Sequence, residues 1–340
     1  MINFIIFFII HFFINKICLK TNYLIDKKDI SDHKKKIITE TKTPLSGGLV
    51  FIILFIFVIP YENYILLASL IFLYFVGIMS DINYLSSPPK RFVLQSLVIL
   101  ALILGTDLTI ISLSIDFLDN LLEFKIINIF FILVCFLVLI NGFNFLDGIN
   151  TLVIGNFMIC LIAIYYTANQ YSLSINFDLI KNVLTILLII FIFNFFGKSF
   201  LGDSGTYMIG LLVGFIVINF AYNNYLTTSP YFAACLLWYP ALENLFSILR
   251  RFFFKNKLSK ADNNHLHHLI YLKIRKQKFL KKNLWINTLT GLIINCYVFF
   301  STYVASLNYS HTKSLLLIIL LNIFVYLSSY YYFSKRAKLN

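Results

Sequence analysis

Eleven apolar runs decide what this chain can fold into. They cover 2–19, 45–60, 64–80, 92–108, 126–141, 151–167, 179–196, 206–222, 229–249, 284–306 and 313–333. About 20 apolar residues in a helix cross a bilayer core. Hydrocarbon offers no partner to a backbone N–H or C=O, so such runs must satisfy their own backbone as helices. The expectation is an all-α polytopic integral membrane protein, with about 11 transmembrane helices and one domain over 1–340. Only 13% of the residues are charged, against about 25% in a soluble domain. The first run lacks a basic leader and a small-residue cleavage site, which predicts a membrane helix rather than a signal peptide. Cys18, Cys135, Cys160, Cys235 and Cys296 lie in apolar runs without a CxxC pair and read as small buried hydrophobes.

The net charge of +13 is unevenly spread. All Lys and Arg except Lys16, Lys125, Lys181 and Lys313 fall in the loops 20–44, 81–91, 197–205 and 250–283 or in the C-terminal tail. Cytoplasmic loops carry the basic excess. These loops, 142–150 and the C-terminus are therefore predicted to be cytoplasmic, with the N-terminus periplasmic. The charge reports topology and lipid headgroups, and no nucleic-acid partner is expected. In the periplasmic segments 111–117 and 173–177, apolar and polar residues alternate, which predicts short strands.

Four polar stretches interrupt the apolar pattern. They are Gly77–Asp81 with Pro88–Arg91, Asn141–Leu152, Phe200–Thr206 and Asp262–His268. Each has a plain reading. Asn, Asp and Gly are ordinary turn residues, Asp203 could cap a helix beginning at Thr206, and Asp81 could be a helix end meeting water. The predicted topology nevertheless puts all four on the cytoplasmic face, and that convergence favours one site there. Carboxylates without cysteine suit a hard cation such as Mg²⁺, held by one or two carboxylates and substrate phosphates. Lys90, Arg91, Arg250 and Arg251 offer charge to anionic oxygens. Gly202 and Gly205 let backbone approach a phosphate, with N–H groups of the next helix pointing at it.

His265, His267 and His268 could form a zinc site. A fourth ligand is missing, however, and eleven basic residues share the loop 250–283, so anion binding is favoured. Residues 269–282 read as a basic amphipathic helix in the membrane interface. Pro240 should kink its helix. Glu243, one turn on, needs a partner if it is buried. Arg250 on the same face is a candidate, and the alternative is a solvated carboxylate at the interface.

These motifs resemble those of the polyprenyl-phosphate N-acetylhexosamine-1-phosphate transferases, of glycosyltransferase family 4 type. Asn141–Leu152 is similar to the signature NxxNxxDGxDGL, Phe200–Thr206 to FxGDxGS, and His265–His268 to HxHH. Thr43–Gly48 begins the resemblance, which covers the whole chain. HxHH preceded by Arg250 and Arg251 is more similar to the initiators of O-antigen and enterobacterial common antigen than to phospho-N-acetylmuramoyl-pentapeptide transferase. Three departures stand out. Ser80-Asp81 occupies the place of an aspartate pair, Asn150 that of a second aspartate, and Glu40 that of a lysine, with Lys42 nearer the motif.

The resemblance implies a reaction in the bacterial inner membrane, with the active site on its cytoplasmic face. Undecaprenyl phosphate attacks the β-phosphate of a UDP-sugar, giving undecaprenyl-diphosphate-sugar and UMP with Mg²⁺, or Mn²⁺ in its place. It implies Asp203 as metal ligand and Asp81 and Asp147 as catalytic carboxylates. Phe200 would stack on uracil. Asn144, Asn150, Asn194, Lys90, Arg250, Arg251, His265, His267 and His268 would bind nucleotide, phosphate or sugar. A homodimer is also implied. The competing classes are a lipid or solute transporter, which would place ionisable residues at the bilayer midplane, and an inactive relative, motivated by Ser80 and Asn150.

Overall fold

The computed structural model describes residues 2–26, 42–60, 63–253, 264–277, 280 and 282–338. Their helices, in order, are α1 (Ile2–Thr21), α2 (Gly47–Ile56), α3 (Tyr64–Asp81), α4 (Pro88–Thr106), α5 (Asp116–Leu122), α6 (Lys125–Leu146), α7 (Leu152–Tyr171), α8 (Phe177–Phe195), α9 (Gly202–Asn223), α10 (Pro230–Phe253), α11 (Leu266–Lys276), α12 (Asn283–Leu307) and α13 (Thr312–Lys338). Ten of them are long and apolar enough to cross a membrane. The chain is an all-helical polytopic membrane protein. The expected eleven spans become ten long helices and the ten-residue α2, whose run is stopped by Pro60.

The expected strands do not form among the described residues. Residues 108–115 run irregularly into α5, and 173–176 link α7 to α8. Side chains take the part that a partner strand would play. Asp119 accepts from Leu113 N at 2.6 Å and from Ser112 Oγ at 2.7 Å. Asn224 accepts from Ser174 N at 2.8 Å and donates to Ser174 O at 2.9 Å.

The bundle is centred on α9. Of its membrane-crossing stretch 89% is buried, against 22% for α1 and α4 and 17% for α13. Around it pack α2, α3 and α6. Without a hydrophobic drive between helices in lipid, small residues let backbones touch. At Gly77 a Cβ would overlap Ser204 Cα, so α3 and α9 meet backbone to backbone. Further out, α10 packs on α6 and α13, and α12 on α7.

The segment expected in the membrane interface over 269–282 is α11, and it packs on α12 and α13. Of the apolar residues behind that expectation, Leu269 is buried against neighbouring helices, whereas Leu272 is exposed. Phe279, from the same expectation, lies outside the described residues. One isolated antiparallel bridge, Ile25 to Pro44, closes the feet of the lysine-rich loop. Its two bonds run from Leu45 N to Leu24 O at 2.7 Å and from Asp26 N to Thr43 O at 3.0 Å. Glu40 lies outside the described residues.

Candidate active site

A helix begins with N–H groups that need acceptors from outside its own ladder. At the start of α9 the acceptor comes from the end of α3. Asp81 Oδ1 accepts from Asp203 N at 2.9 Å, and Oδ2 from Ser204 N at 3.2 Å. A carboxylate there also complements the helix dipole. Thus α9 starts at Gly202 rather than Thr206, and Asp81 caps it in place of the expected Asp203. Gly202 has φ +71°, and a Cβ there would stand 2.6 Å from Asp81 Oδ2. Only glycine meets both conditions at low cost. Two of the N–H groups expected to face a phosphate are therefore occupied by Asp81.

Capped this way, the first turn of α9 presents Asp203. Its Oδ2 accepts from Ser80 Oγ at 2.6 Å and from Arg91 Nη1 at 3.0 Å. Arg91 Nη1 also reaches Ser80 Oγ at 2.6 Å. The ion pair is largely buried, its side chains 23% and 20% exposed. Ser80, at the place of a second carboxylate, thus contributes a neutral hydroxyl between Arg91 and Asp203. Lys90 is exposed one residue earlier, so it is Arg91 that the fold brings to Asp203. Tyr207, one turn into α9, donates to Asp203 Oδ2 at 3.4 Å and accepts from Asn144 Nδ2 at 3.3 Å. This phenol joins α9 to α6.

The end of α6 makes the second half of the site. Asp147 is its C-cap residue. Gly148 follows, and a Cβ there would stand 2.9 Å from His268 Nε2. The loop bearing Asp147 therefore lies directly on the histidine cluster. The rings of His265 and His267 stack with centroids 5.4 Å apart, and those of His267 and His268 stand 4.3 Å apart. All three histidines are buried. Phe145 lies 5.2 Å from the His265 ring and carries the Arg251 guanidinium at 5.6 Å. The Arg250 guanidinium lies over Tyr330 of α13 at 5.6 Å. Glu243 is met by His265 Nδ1 at 2.9 Å and is fully buried, which corrects the alternative of a solvated carboxylate.

A third set of residues holds the loops in place. Asn194 Oδ1 accepts from Thr151 N at 2.6 Å, and its Nδ2 donates to Ser199 O at 2.9 Å. Thr151 has φ 69°, a strained setting for a β-branched residue. Its carbonyl is held by Asn295 Nδ2 at 2.9 Å. Asn150 N donates to Asn287 Oδ1 at 2.5 Å, and its Nδ2 reaches Thr288 Oγ1 at 3.4 Å. Phe200 is half-buried; its N–H donates to Pro44 O and its carbonyl accepts from Gly47 N, each at 2.9 Å. The segment Thr43–Gly48 is thereby stitched to the loop before α9.

Asp81, Asp203, Arg91, Asn144 and Tyr207 thus gather on one side of the site. Asp147, Arg251, His265, His267 and His268 gather on the other, and Asn144 and Tyr207 connect the two. Asn150 and Asn194 lie behind them against α12, α7 and the loop 197–201. Asp262 and Asn263 lie outside the described residues. Sequence reasoning missed Tyr207, Asn287 and Asn295. Tyr207 stands four residues after Asp203, a helical spacing that could have pointed to it.

Hard carboxylate oxygens with no thiolate fit Mg²⁺ in kind. Among the described residues no three His, Cys, Asp or Glu side chains gather as a group able to hold a metal ion. The histidines likewise do not form a zinc group. A cavity of about 440 Å³ lined by Asn63, Thr106, Asp107, Asn219 and Tyr222 lies at the opposite end of α3 and α9 and touches none of these residues.

Residues 63–221 match the pattern of glycosyl transferase family 4. Over 194 residues the chain is 26% identical to a "Probable undecaprenyl-phosphate N-acetylglucosaminyl 1-phosphate transferase" of Bacillus subtilis, covering 57% of this chain and 54% of that protein. Over 325 residues it is 29% identical to a phospho-N-acetylmuramoyl-pentapeptide-transferase of Prochlorococcus marinus, covering 83% and 85%. Over 237 residues it is 26% identical to an undecaprenyl-phosphate alpha-N-acetylglucosaminyl 1-phosphate transferase of Thermotoga maritima, covering 70% of each. The chain spans about half the length of the Bacillus relative. Both branches of the resemblance are matched at similar identity.

Proposed function

The chain belongs to glycosyl transferase family 4, and on that premise we propose that it transfers a sugar 1-phosphate from a UDP-sugar to undecaprenyl phosphate. A phosphate oxygen of the lipid bonds to the β-phosphorus. The bond from that phosphorus to the oxygen bridging the two phosphates breaks, and UMP leaves with the bridging oxygen. The sugar is an N-acetylhexosamine, and the product initiates a cell-envelope polysaccharide such as O-antigen. The reaction runs on the cytoplasmic face of the bacterial inner membrane, in a protein that pairs as a homodimer.

One observation carries this reading: the Asp203–Arg91–Ser80 cluster and the Asp147–histidine cluster share one end of the bundle, joined through Tyr207 and Asn144. Phosphoryl transfer asks for positioning and charge compensation more than for covalent chemistry. Arg91, Arg251 and the histidines supply donors and positive charge for phosphate oxygens. Asp81 fixes the first turn of α9 and so aims Asp203. Asp147 takes a proton from the lipid phosphate or orients it. Asp203 and Asp147 are the carboxylates that would hold Mg²⁺, which when bound neutralises charge on the diphosphate. Phe200 offers a ring for uracil.

The test is release of UMP from UDP-N-acetylglucosamine by the purified chain with undecaprenyl phosphate and Mg²⁺. Asp203→Asn is expected to lower the rate by about 10³-fold, of the order found for removing one transition-state contact. Release at the wild-type rate would sink the reading.

A further inference from the structure

Glu243 sits in the body of α10, three residues after Pro240, and no step above uses it. A carboxylate in a membrane helix is costly unless something answers it. Here His265 Nδ1 lies 2.9 Å from Glu243 Oε1, and Ser247 Oγ lies 3.3 Å from the same nitrogen. Glu243 is 0% exposed and His265 3%. The next residue, Asn244, donates from Nδ2 to Val138 O at 2.9 Å. Val138 belongs to α6, the helix that ends at Asp147. Two adjacent residues of α10 thus grip the two elements that meet in one half of the site.

We propose that Glu243 is a positioning residue, which through Nδ1 of His265 fixes that imidazole with its Nε2–H presented to a phosphate oxygen of the substrates. This rests on the transfer reading above. Burying the pair with a net charge costs more than burying it neutral. A neutral pair has two proton arrangements, carboxylate with imidazolium or carboxylic acid with imidazole. Both use Nδ1 for Glu243, and both leave a hydrogen on Nε2. The ring is further held between Phe145 and His267. Its remaining nitrogen is therefore a fixed donor, the group a developing phosphate charge needs. The phosphate belongs either to the nucleotide sugar or to the lipid.

A double-mutant cycle and a spectrum test this in the full-length chain. Glu243→Leu keeps the site apolar and is expected to lower kcat about 10²-fold. Glu243→Gln, whose amide can donate to Nδ1 and leave Nε2–H in place, is expected to recover about tenfold of that loss. Glu243→Leu with His265→Ala is expected to be no slower than His265→Ala alone. KM measured separately for the UDP-sugar and for undecaprenyl phosphate assigns the phosphate to the substrate whose KM rises. Nitrogen-15 spectra of labelled histidine in lipid bilayers read the wild type directly, and a protonated His265 Nε2 is expected. Losses that multiply in the double variant, or a bare Nε2 in the wild type, would overturn the proposal. A wild type that turns over no UDP-sugar would sink the transfer reading alone, because the spectrum needs no turnover.

Discussion

The two halves of the site are built in opposite ways. Where α3 meets α9, Asp203 and Arg91 form an ion pair that keeps about a fifth of each side chain exposed. Asp81 holds backbone, and the polar contacts around Asp203 are charged or hydroxyl hydrogen bonds. Where α6 meets α10 and α11, charge is buried. Glu243 and His265 are closed off, and Phe145, Arg251 and three imidazoles pack against one another. A partly hydrated ion pair costs less to open than a fully buried one, since water can replace part of each partner's contacts. A buried carboxylate–imidazole pair is costly to open, since nothing replaces either. The α9 half is therefore the one that can change partners when a substrate arrives. The α10 half is the fixed frame against which that change happens.

After Asp203→Asn, the largest effect should come from Arg91 in the α9 half, with Arg251 in the other half well below it. Arg91→Ala leaves Asp203 without its cation and is expected to lower transfer by about 10²-fold, with Arg91→Lys recovering part of it. Arg251→Ala removes a ring contact of about 1 kcal/mol and is expected to cost less than tenfold. Equal losses in the same UMP-release assay would erase the contrast between the halves. An effect smaller than that of Arg91→Ala should follow at the cap. Asp81→Asn keeps one acceptor for the start of α9, so it is expected to lower the Tm of the detergent-solubilised chain and to reduce transfer about tenfold, the two changes moving together. A tenfold loss with unchanged Tm would give Asp81 a direct part in the chemistry. The smallest catalytic change belongs behind the site. Asn194→Ala leaves Thr151 N and Ser199 O without their partner, which costs about 1–3 kcal/mol of stability. Transfer by the folded fraction should stay within about threefold of wild type, and a larger fall would place Asn194 on the nucleotide.

Much of the fold was legible because long apolar runs recur through the chain, and length alone then separates spanning helices from short ones. The outer segments misled because alternation over five or six residues is what a strand needs, but Asp119 and Asn224 had already met the backbone groups a strand would pair. Asp147, Asp203 and the histidines announced themselves as polar residues among apolar ones. What they touch did not. The cap on α9 arrives from a residue more than a hundred positions earlier, and neither partner's local sequence shows it. Glu243 was visible as costly, but helical spacing pointed to Arg250, whereas His265 comes to it across a loop.

The bridge between Ile25 and Pro44 also has a practical side. It works as a clasp. The two backbone hydrogen bonds of the bridge hold residues 24–26 against 43–45. Pro44 in turn is bonded to Phe200. Whatever is spliced in beyond the clasp pulls on the clasp before it pulls on the loop that precedes α9. An epitope or a fluorophore inserted between Lys34 and Lys35 should then report on the protein in living cells while leaving the registration of Gly47 and Gly48 against α9 undisturbed.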